Sequence, residues 1–132
     1  MPLGSLKEIL LYPYDQDINA NTLQNVLENC ALTKFQHRLD EINNWSQVLS
    51  LGEQQLIAFA RVFLHAPDFI FLDESTSALD EKTESHIYEN LRKYLPHSTI
   101  ISVGHRSSLQ QYHETVIILS SDDKELELAA EV

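Results

Sequence analysis

The chain has 132 residues, of which 43% are apolar and 22% charged, a profile that fits one folded domain and excludes a disordered chain. Twenty Asp and Glu against nine Lys and Arg leave a formal charge of −11, which argues against a nucleic-acid surface, since such surfaces are built from clustered basic residues. No run of about 18 apolar residues occurs, so these residues encode no transmembrane helix, and Met1 to Lys7 lack the charged and apolar regions of a signal peptide. The single cysteine, Cys30, has no intramolecular partner, which fits a reducing compartment. Its neighbours Val26, Leu27 and Leu32 read as burial rather than reactivity.

The first half reads as helices. Ser5 followed by Glu8 is a capping-box pattern, and a short helix from Leu6 stops before Pro13. Asn21 caps a second helix through Asn29, with Leu23, Val26 and Leu27 on one face. Ser50 opens a longer helix, Leu51 to Leu64, ended by Pro67; Leu56, Ala60, Phe63 and Leu64 recur at helical spacing. The second half alternates. Phe69 to Leu72 is a short apolar run, as in a strand buried on both faces, and it ends in Asp73-Glu74. A helix from Glu81 to Tyr94, capped by Asp80, leads to a strand at Thr99 to Val103, a short helix near Ser108 to Tyr112, and a strand at Val116 to Leu119. Glu125 to Leu128 is a candidate fourth strand, with the acidic tail read as a solvated turn and edge strand. Strand, helix, strand, helix, strand is the pattern of an α/β layered sheet.

Three features fit phosphate chemistry, which needs charge compensation and an oriented water more than covalent participation. Asp73-Glu74 puts two carboxylates at the C-terminal end of a strand, where α/β sheets place ligands, although an apolar strand ending in two acids equally describes a solvated turn. Leu49-Ser50-Leu51-Gly52-Glu53-Gln54-Gln55 puts a serine and a glycine at a helix N-terminus, where free N–H groups favour an anion; by itself the serine is an ordinary cap. Gly104-His105-Arg106 brings an imidazole to the same sheet edge, though a lone histidine is more often a surface or core residue. His37, His65, His86, His97 and His113 show no metal-ligand spacing and read as surface or packing residues.

Taken together, these segments resemble the ATP-binding cassette (ABC) ATPases over nearly the whole chain. Leu49 to Glu53 is similar to the family's signature motif, Phe69 to Glu74 to its Walker B strand, Ser77-Ala78-Leu79-Asp80 to its D-loop, and His105 to its switch histidine. The resemblance implies that Ser50, Leu51, Gly52, Glu53 and Asp80 contact ATP held by a second cassette in a head-to-tail dimer. Asp73 would then serve Mg2+ through water, Glu74 would polarise the attacking water, and His105 would sense the γ-phosphate. It also implies a transmembrane permease as partner, a cytoplasmic location at the inner face of a membrane, and no nucleic acid. Trp45 ahead of Val48 to Gln55, with Ser102 to Arg106 downstream, resembles the peroxisomal fatty-acyl half-transporters and their bacterial relatives. The Leu3 to Leu6 and Leu11 to Pro13 stretches resemble the segment after that subfamily's Q-loop.

Two departures from the family pattern matter. Leu51 stands where the general signature has glycine, and Glu53 where it usually has glutamine. A P-loop needs G-x-x-x-x-G-K-[ST], and the three glycines, Gly4, Gly52 and Gly104, are none of them followed by lysine. The fold class expected is therefore α/β, a partial P-loop NTPase cassette. Residues 1–66 form the helical subdomain with the signature motif, and 67–132 the Walker B side of a mainly parallel core. Such a chain would be a poor ATPase alone. Two other readings stay open: a non-catalytic interaction fragment or relic of a truncated gene, and a half-cassette that complements a separately encoded P-loop lobe. In this family the P-loop strand lies between the two strands that here are Thr99–Val103 and Val116–Leu119. Those two are therefore expected either to pair directly or to recruit another molecule.

Overall fold

Side-chain caps set the helix starts. In the computed structural model, which describes residues 3–14, 17–104, 107–121 and 124–131, Ser5 opens α1 (Leu6–Leu11) through a complete capping box. The Glu8 N–H donates to Ser5 Oγ at 3.1 Å, and the Ser5 N–H donates to Glu8 Oε2 at 2.8 Å. α2 (Ala20–Asn29) begins on Asn19 rather than Asn21. Both are asparagines, and the one whose side-chain oxygen meets a first-turn amide wins: Asn19 Oδ1 accepts from the Asn21 N–H at 2.8 Å. α4 (Leu51–His65) ends on Ala66 in the left-handed region (φ 43°), just ahead of Pro67. α5 (Glu81–Tyr94) starts from Asp80, whose Oδ1 accepts from the Thr83 N–H at 2.7 Å.

Four short elements carry no periodic signal in the sequence. β1 (Gly4–Ser5) pairs antiparallel with β2 (Ile42–Asn43), Thr33–Arg38 forms a 3-10 turn, and α3 (Trp45–Val48) precedes α4. Trp45 joins them. Its fully buried indole donates from Nε1 to the Gly4 carbonyl at 3.2 Å and to the Glu41 carbonyl at 3.3 Å. Phe35 meets it edge-on at 6.2 Å, and the Arg38 guanidinium lies 5.0 Å over its face. Arg38 is oriented by two hydrogen bonds to the Glu41 carboxylate, at 2.7 and 2.9 Å. They hold the Glu41 carboxyl at about 2, well below the usual range.

α4 packs against α1 and α2, and its buried Leu56, Ile57, Phe59 and Ala60 belong to one apolar core with Leu10, Leu27, Ile70, Leu72, Ile87 and Ile100. Cys30 is fully buried in that core, and burial pushes its thiol up to about 12, so it packs as a small apolar group. None of the described helices is long and apolar enough to cross a membrane.

The sheet has the order β3 (Phe69–Asp73), β4 (Thr99–Gly104), β6 (Lys124–Glu131), β5 (Thr115–Ser121). β3 and β4 pair in parallel, from Phe69 opposite Thr99 to Asp73 opposite Val103. β6 runs antiparallel to both of its neighbours, so β3, β4 and β5 all point the same way. Beneath this sheet Tyr88 of α5 bonds Ser102 of β4 at 2.8 Å, and His113 bonds the same hydroxyl at 2.9 Å, making His113 a buried packing residue.

Two expectations change here. β3 is buried on one face only: Ile70 and Leu72 are 3% and 6% exposed, whereas Phe69 and Phe71 are 63% and 73% exposed. The strand period of two sends alternate residues to opposite faces, and the described residues cover one of them. The second change concerns the tail. It is not an edge strand, and Thr99–Val103 does not pair with Val116–Leu119; β6 lies between them and bonds both. Only two residues join β5 to β6, so this hairpin closes with little loop entropy and satisfies backbone groups that would otherwise lie open on two apolar strands.

Deleting residues 124–132 should therefore expose the facing edges of β4 and β5 and make the chain associate. Light scattering checks this: the intact chain is expected to remain smaller than the deletion variant at equal concentration. A deletion variant that stays monomeric, with β4 amides still protected from exchange, would remove β6 from this role.

Candidate functional site

β3 delivers Asp73 to the sheet edge, and the chain then reverses at Glu74. The Glu74 N–H donates to the Val103 carbonyl at 2.9 Å, and its φ of 51° lies in the left-handed region. A residue with a Cβ pays about 1–2 kcal/mol to sit there. Both carboxylates are exposed to solvent. The turn continues through a Ser77 N–H bond to the Glu74 carbonyl at 3.2 Å and a Leu79 N–H bond to the Thr76 carbonyl at 3.0 Å.

The N-terminus of α4 lies across from that turn. Ser50 caps it with a second capping box: the Glu53 N–H donates to Ser50 Oγ at 3.2 Å, and the Ser50 N–H donates to Glu53 Oε2 at 2.8 Å. The serine hydroxyl proton remains free to donate, and the first-turn amides of Leu51 and Gly52 have no carbonyl to bond within the helix. The Leu51 side chain, the bulky departure from the family pattern, is 66% exposed and points away from the packed core. Glu53, the acidic departure, is paired with Lys34, a residue that no motif singled out. The Lys34 ammonium, ahead of the Ser50 N–H, holds the Glu53 carboxyl below its ordinary value. Because the folded value is depressed, the pair stabilises the fold above the ordinary glutamate range and ceases to as pH falls through the depressed value. Lys34 also offsets, with its own positive charge, the negative charge that Glu53 sets beside an anion-favouring helix end.

Two contacts lock the helix to the turn. A Cβ on Gly52 would stand 3.0 Å from the Ala78 carbonyl oxygen, so glycine permits the close approach. Gln55, one turn further on, uses both ends of its amide. Its Nε2 donates to the Glu74 carbonyl at 3.3 Å and to Ser77 Oγ at 3.0 Å, while its Oε1 accepts from the Ala78 N–H at 3.0 Å. Ser50 to Glu53, Glu74 and the Ser77 to Asp80 turn are thus brought together. Asp80 itself is engaged as the cap of α5, and the Thr83 N–H holds its carboxyl below the ordinary value. β4 ends at Gly104 beside this turn; His105 and Arg106 lie outside the described residues. Among the described residues no group of three or more His, Cys, Asp and Glu converges on a metal position. Sequence reasoning missed Gln55 and Lys34 as site residues. Gln55 had a signal, its place one turn beyond the serine cap; Lys34 had none, because its partner is far along the chain.

The strained backbone at Glu74 has a measurable consequence. Glu74→Gly should stabilise the fold by about 0.5–1 kcal/mol, the relief of a left-handed Cβ being partly offset by the added freedom of the unfolded chain. Chemical denaturation checks it; a loss of stability would mean that the turn is not strained at this residue.

The ABC transporter family model matches residues 6–77, more than half of the chain, a span that includes α4 and the Asp73-Glu74 pair. An uncharacterized ABC transporter ATP-binding protein of Haemophilus influenzae is 48% identical over 113 residues, covering 86% of this chain and 19% of that protein. ABC transporter D family member 2, chloroplastic, of Arabidopsis thaliana is 36% identical, covering 93% of this chain and 21% of that protein. Human ATP-binding cassette sub-family D member 3 is 37% identical, covering 86% of this chain and 18% of that protein. Among solved structures, a bacterial Atm1-family ABC exporter with ATP bound superposes with a TM-score of 0.69 at 29% identity, over 80% of this chain and 19% of that one. The chain thus spans about a fifth of the length of these relatives. The family match contains both the capped helix and the Asp73-Glu74 carboxylate pair, and the chain belongs to the ABC transporter family as part of an ATP-binding cassette.

Proposed function

We propose that this chain supplies the signature helix and the catalytic carboxylate strand of an ABC ATPase, which couples ATP hydrolysis to membrane transport when a P-loop segment and a permease complete it. The observation that carries this reading is the docking of the α4 N-terminus on the Glu74–Asp80 turn through Gly52 and Gln55. Residues 1–66 are read as the helical signature subdomain and 67–132 as part of the ATPase core. The protein would work at the cytoplasmic face of a membrane, against a permease and a second cassette placed head to tail.

The site's donor set suits ATP and Mg2+ in part. Ser50 Oγ and the Leu51 and Gly52 amides offer donors to a phosphate presented from the opposing cassette, with Glu53 and Asp80 bordering them. Asp73 offers one exposed carboxylate, which suits a cation that keeps most of its waters and takes its other ligands from phosphates. When bound, Mg2+ neutralises charge on the transferring phosphoryl group. Glu74 accepts a hydrogen bond from the attacking water and so orients it, and His105 is read as the γ-phosphate sensor. Nothing in these 132 residues replaces a P-loop lysine, so ground-state binding of nucleotide falls to another segment.

The test is to replace the matching segment of the Haemophilus influenzae relative with this chain. The chimera should hydrolyse ATP, and Glu74→Gln in it should lower kcat by about 100-fold or more with little change in KM, since orienting water is a transition-state task. The 132-residue chain by itself should not bind Mg-ATP at micromolar concentration by calorimetry. Unchanged turnover in the Glu74→Gln chimera would refute the role of Glu74, and micromolar binding by the chain alone would refute the division of labour.

A second reading is favoured by β6, which gives β4 and β5 a complete hydrogen-bonded neighbour with no P-loop strand. Under it the chain is a self-standing, non-catalytic interaction module. A folded chimera without ATPase activity would support that reading over the first.

A further inference from the structure

Glu84 has no solvent exposure, and no motif marks it. It lies in the first turn of α5, where its N–H donates to the Asp80 carbonyl at 2.9 Å. Its carboxylate reaches two separate segments. Oε2 accepts the Thr76 hydroxyl at 2.7 Å, and Oε1 accepts the Ser108 hydroxyl at 2.9 Å. Thr76 is 3% exposed and belongs to the turn that begins at Glu74. Ser108 belongs to the 3-10 turn Ser107–Tyr112, which follows β4 and lies just past His105 in sequence.

A carboxylate shielded from water is unfavourable unless its oxygens accept hydrogen bonds. A leucine would fill this place in the α5 face without that cost, but it would hold neither hydroxyl. Hydrogen bonds to a charged acceptor are stronger and shorter than neutral ones, and here one side chain supplies two of them to two loops. Gln55 grips the same Glu74–Asp80 turn from the opposite side, at Glu74, Ser77 and Ala78. The turn is therefore held by both α4 and α5, and the α5 grip extends to the described Ser107–Tyr112 segment beyond β4.

We propose that Glu84 is a positioning residue: its buried carboxylate ties the turn that carries Glu74 to the segment that leaves β4, so that the two move as one unit. The proposal rests on the reading of Glu74 as the water-orienting base, and it extends that reading to how Glu74 is kept in register with the exit of β4. Its test needs no nucleotide, so it fails or succeeds apart from the ATPase assignment.

The experiment is residue-resolved amide hydrogen exchange on the 132-residue chain and its Thr76→Val, Ser108→Ala, Glu84→Gln and Glu84→Ala variants. Ser108→Ala should speed exchange at the Ser77 and Leu79 amides, and Thr76→Val should speed it in Ser107–Tyr112. Each effect should be roughly threefold to tenfold, with the α4 amides of Leu56 to Ala60 unchanged. Glu84→Gln keeps one acceptor and adds one donor, so it should preserve protection of both segments, whereas Glu84→Ala should loosen both. Substitutions that loosen only their own segment would overturn the proposal. So would a uniform loosening that includes α4, which is what a merely structural role would give. Should Glu84→Ala fail to fold, the two hydroxyl variants decide the matter alone.

Discussion

At Gly52 an added Cβ would stand 3.0 Å from the Ala78 carbonyl oxygen, and the missing side chain is what lets the first turn of α4 reach the turn after β3. The rest of the site follows from that approach. It brings Gln55 within hydrogen-bonding distance of Glu74, Ser77 and Ala78, and it sets the unbonded amides of the helix start beside the carboxylate turn. An alanine there would require the helix start or the Ala78 turn to give by a few tenths of an ångström, which strains the three Gln55 bonds between them.

The apolar core makes this docking rigid. α4 is buried along Leu56, Ile57, Phe59 and Ala60, and these residues share one cluster with Ile70 and Leu72 of β3 and Ile100 of β4. Each large side chain so buried contributes about 1.5–3 kcal/mol, against which a single exposed pair such as Lys34 with Glu53 is small. The helical half and the sheet half are therefore bound by packing, and the polar contacts choose their register. Trp45 plays the corresponding part at the other end, where one indole N–H joins the Gly4 and Glu41 carbonyls and fixes a stretch with little regular structure.

Among the described residues, four buried polar side chains beneath the sheet and the Glu74 turn are hydrogen-bonded to one another or to a neighbour of defined geometry. Tyr88, Ser102 and His113 form one chain of bonds beneath β4, and Thr76, Glu84 and Ser108 form another beneath the Glu74 turn. In a low-dielectric interior such bonds are strong and leaving one unmade is costly. They consequently specify how α5 sits against the ends of β3 and β4 more sharply than apolar contact could.

Local rules decide much of this protein. Ser5, Ser50 and Asp80 cap their helices as short-range spacing alone requires, since a cap and its amide partner lie within one turn. The capped helix at Ser50 and the carboxylate pair at Asp73-Glu74 were legible for the same reason. What the sequence could not determine depends on partners distant along the chain. Lys34 finds Glu53, Gln55 finds Ala78, and Glu84 finds Ser108 only after the core has folded. The exposure of Phe69 and Phe71 was hidden because an apolar run does not say how many of its faces are covered. The place of β6 was hidden because strand order is set by which open edge a hairpin reaches. β6 has the reach of a two-residue connection from β5 and an open edge waiting on β4. Tertiary structure decided that order because unpaired backbone groups on both strands are satisfied at once when β6 lies between them.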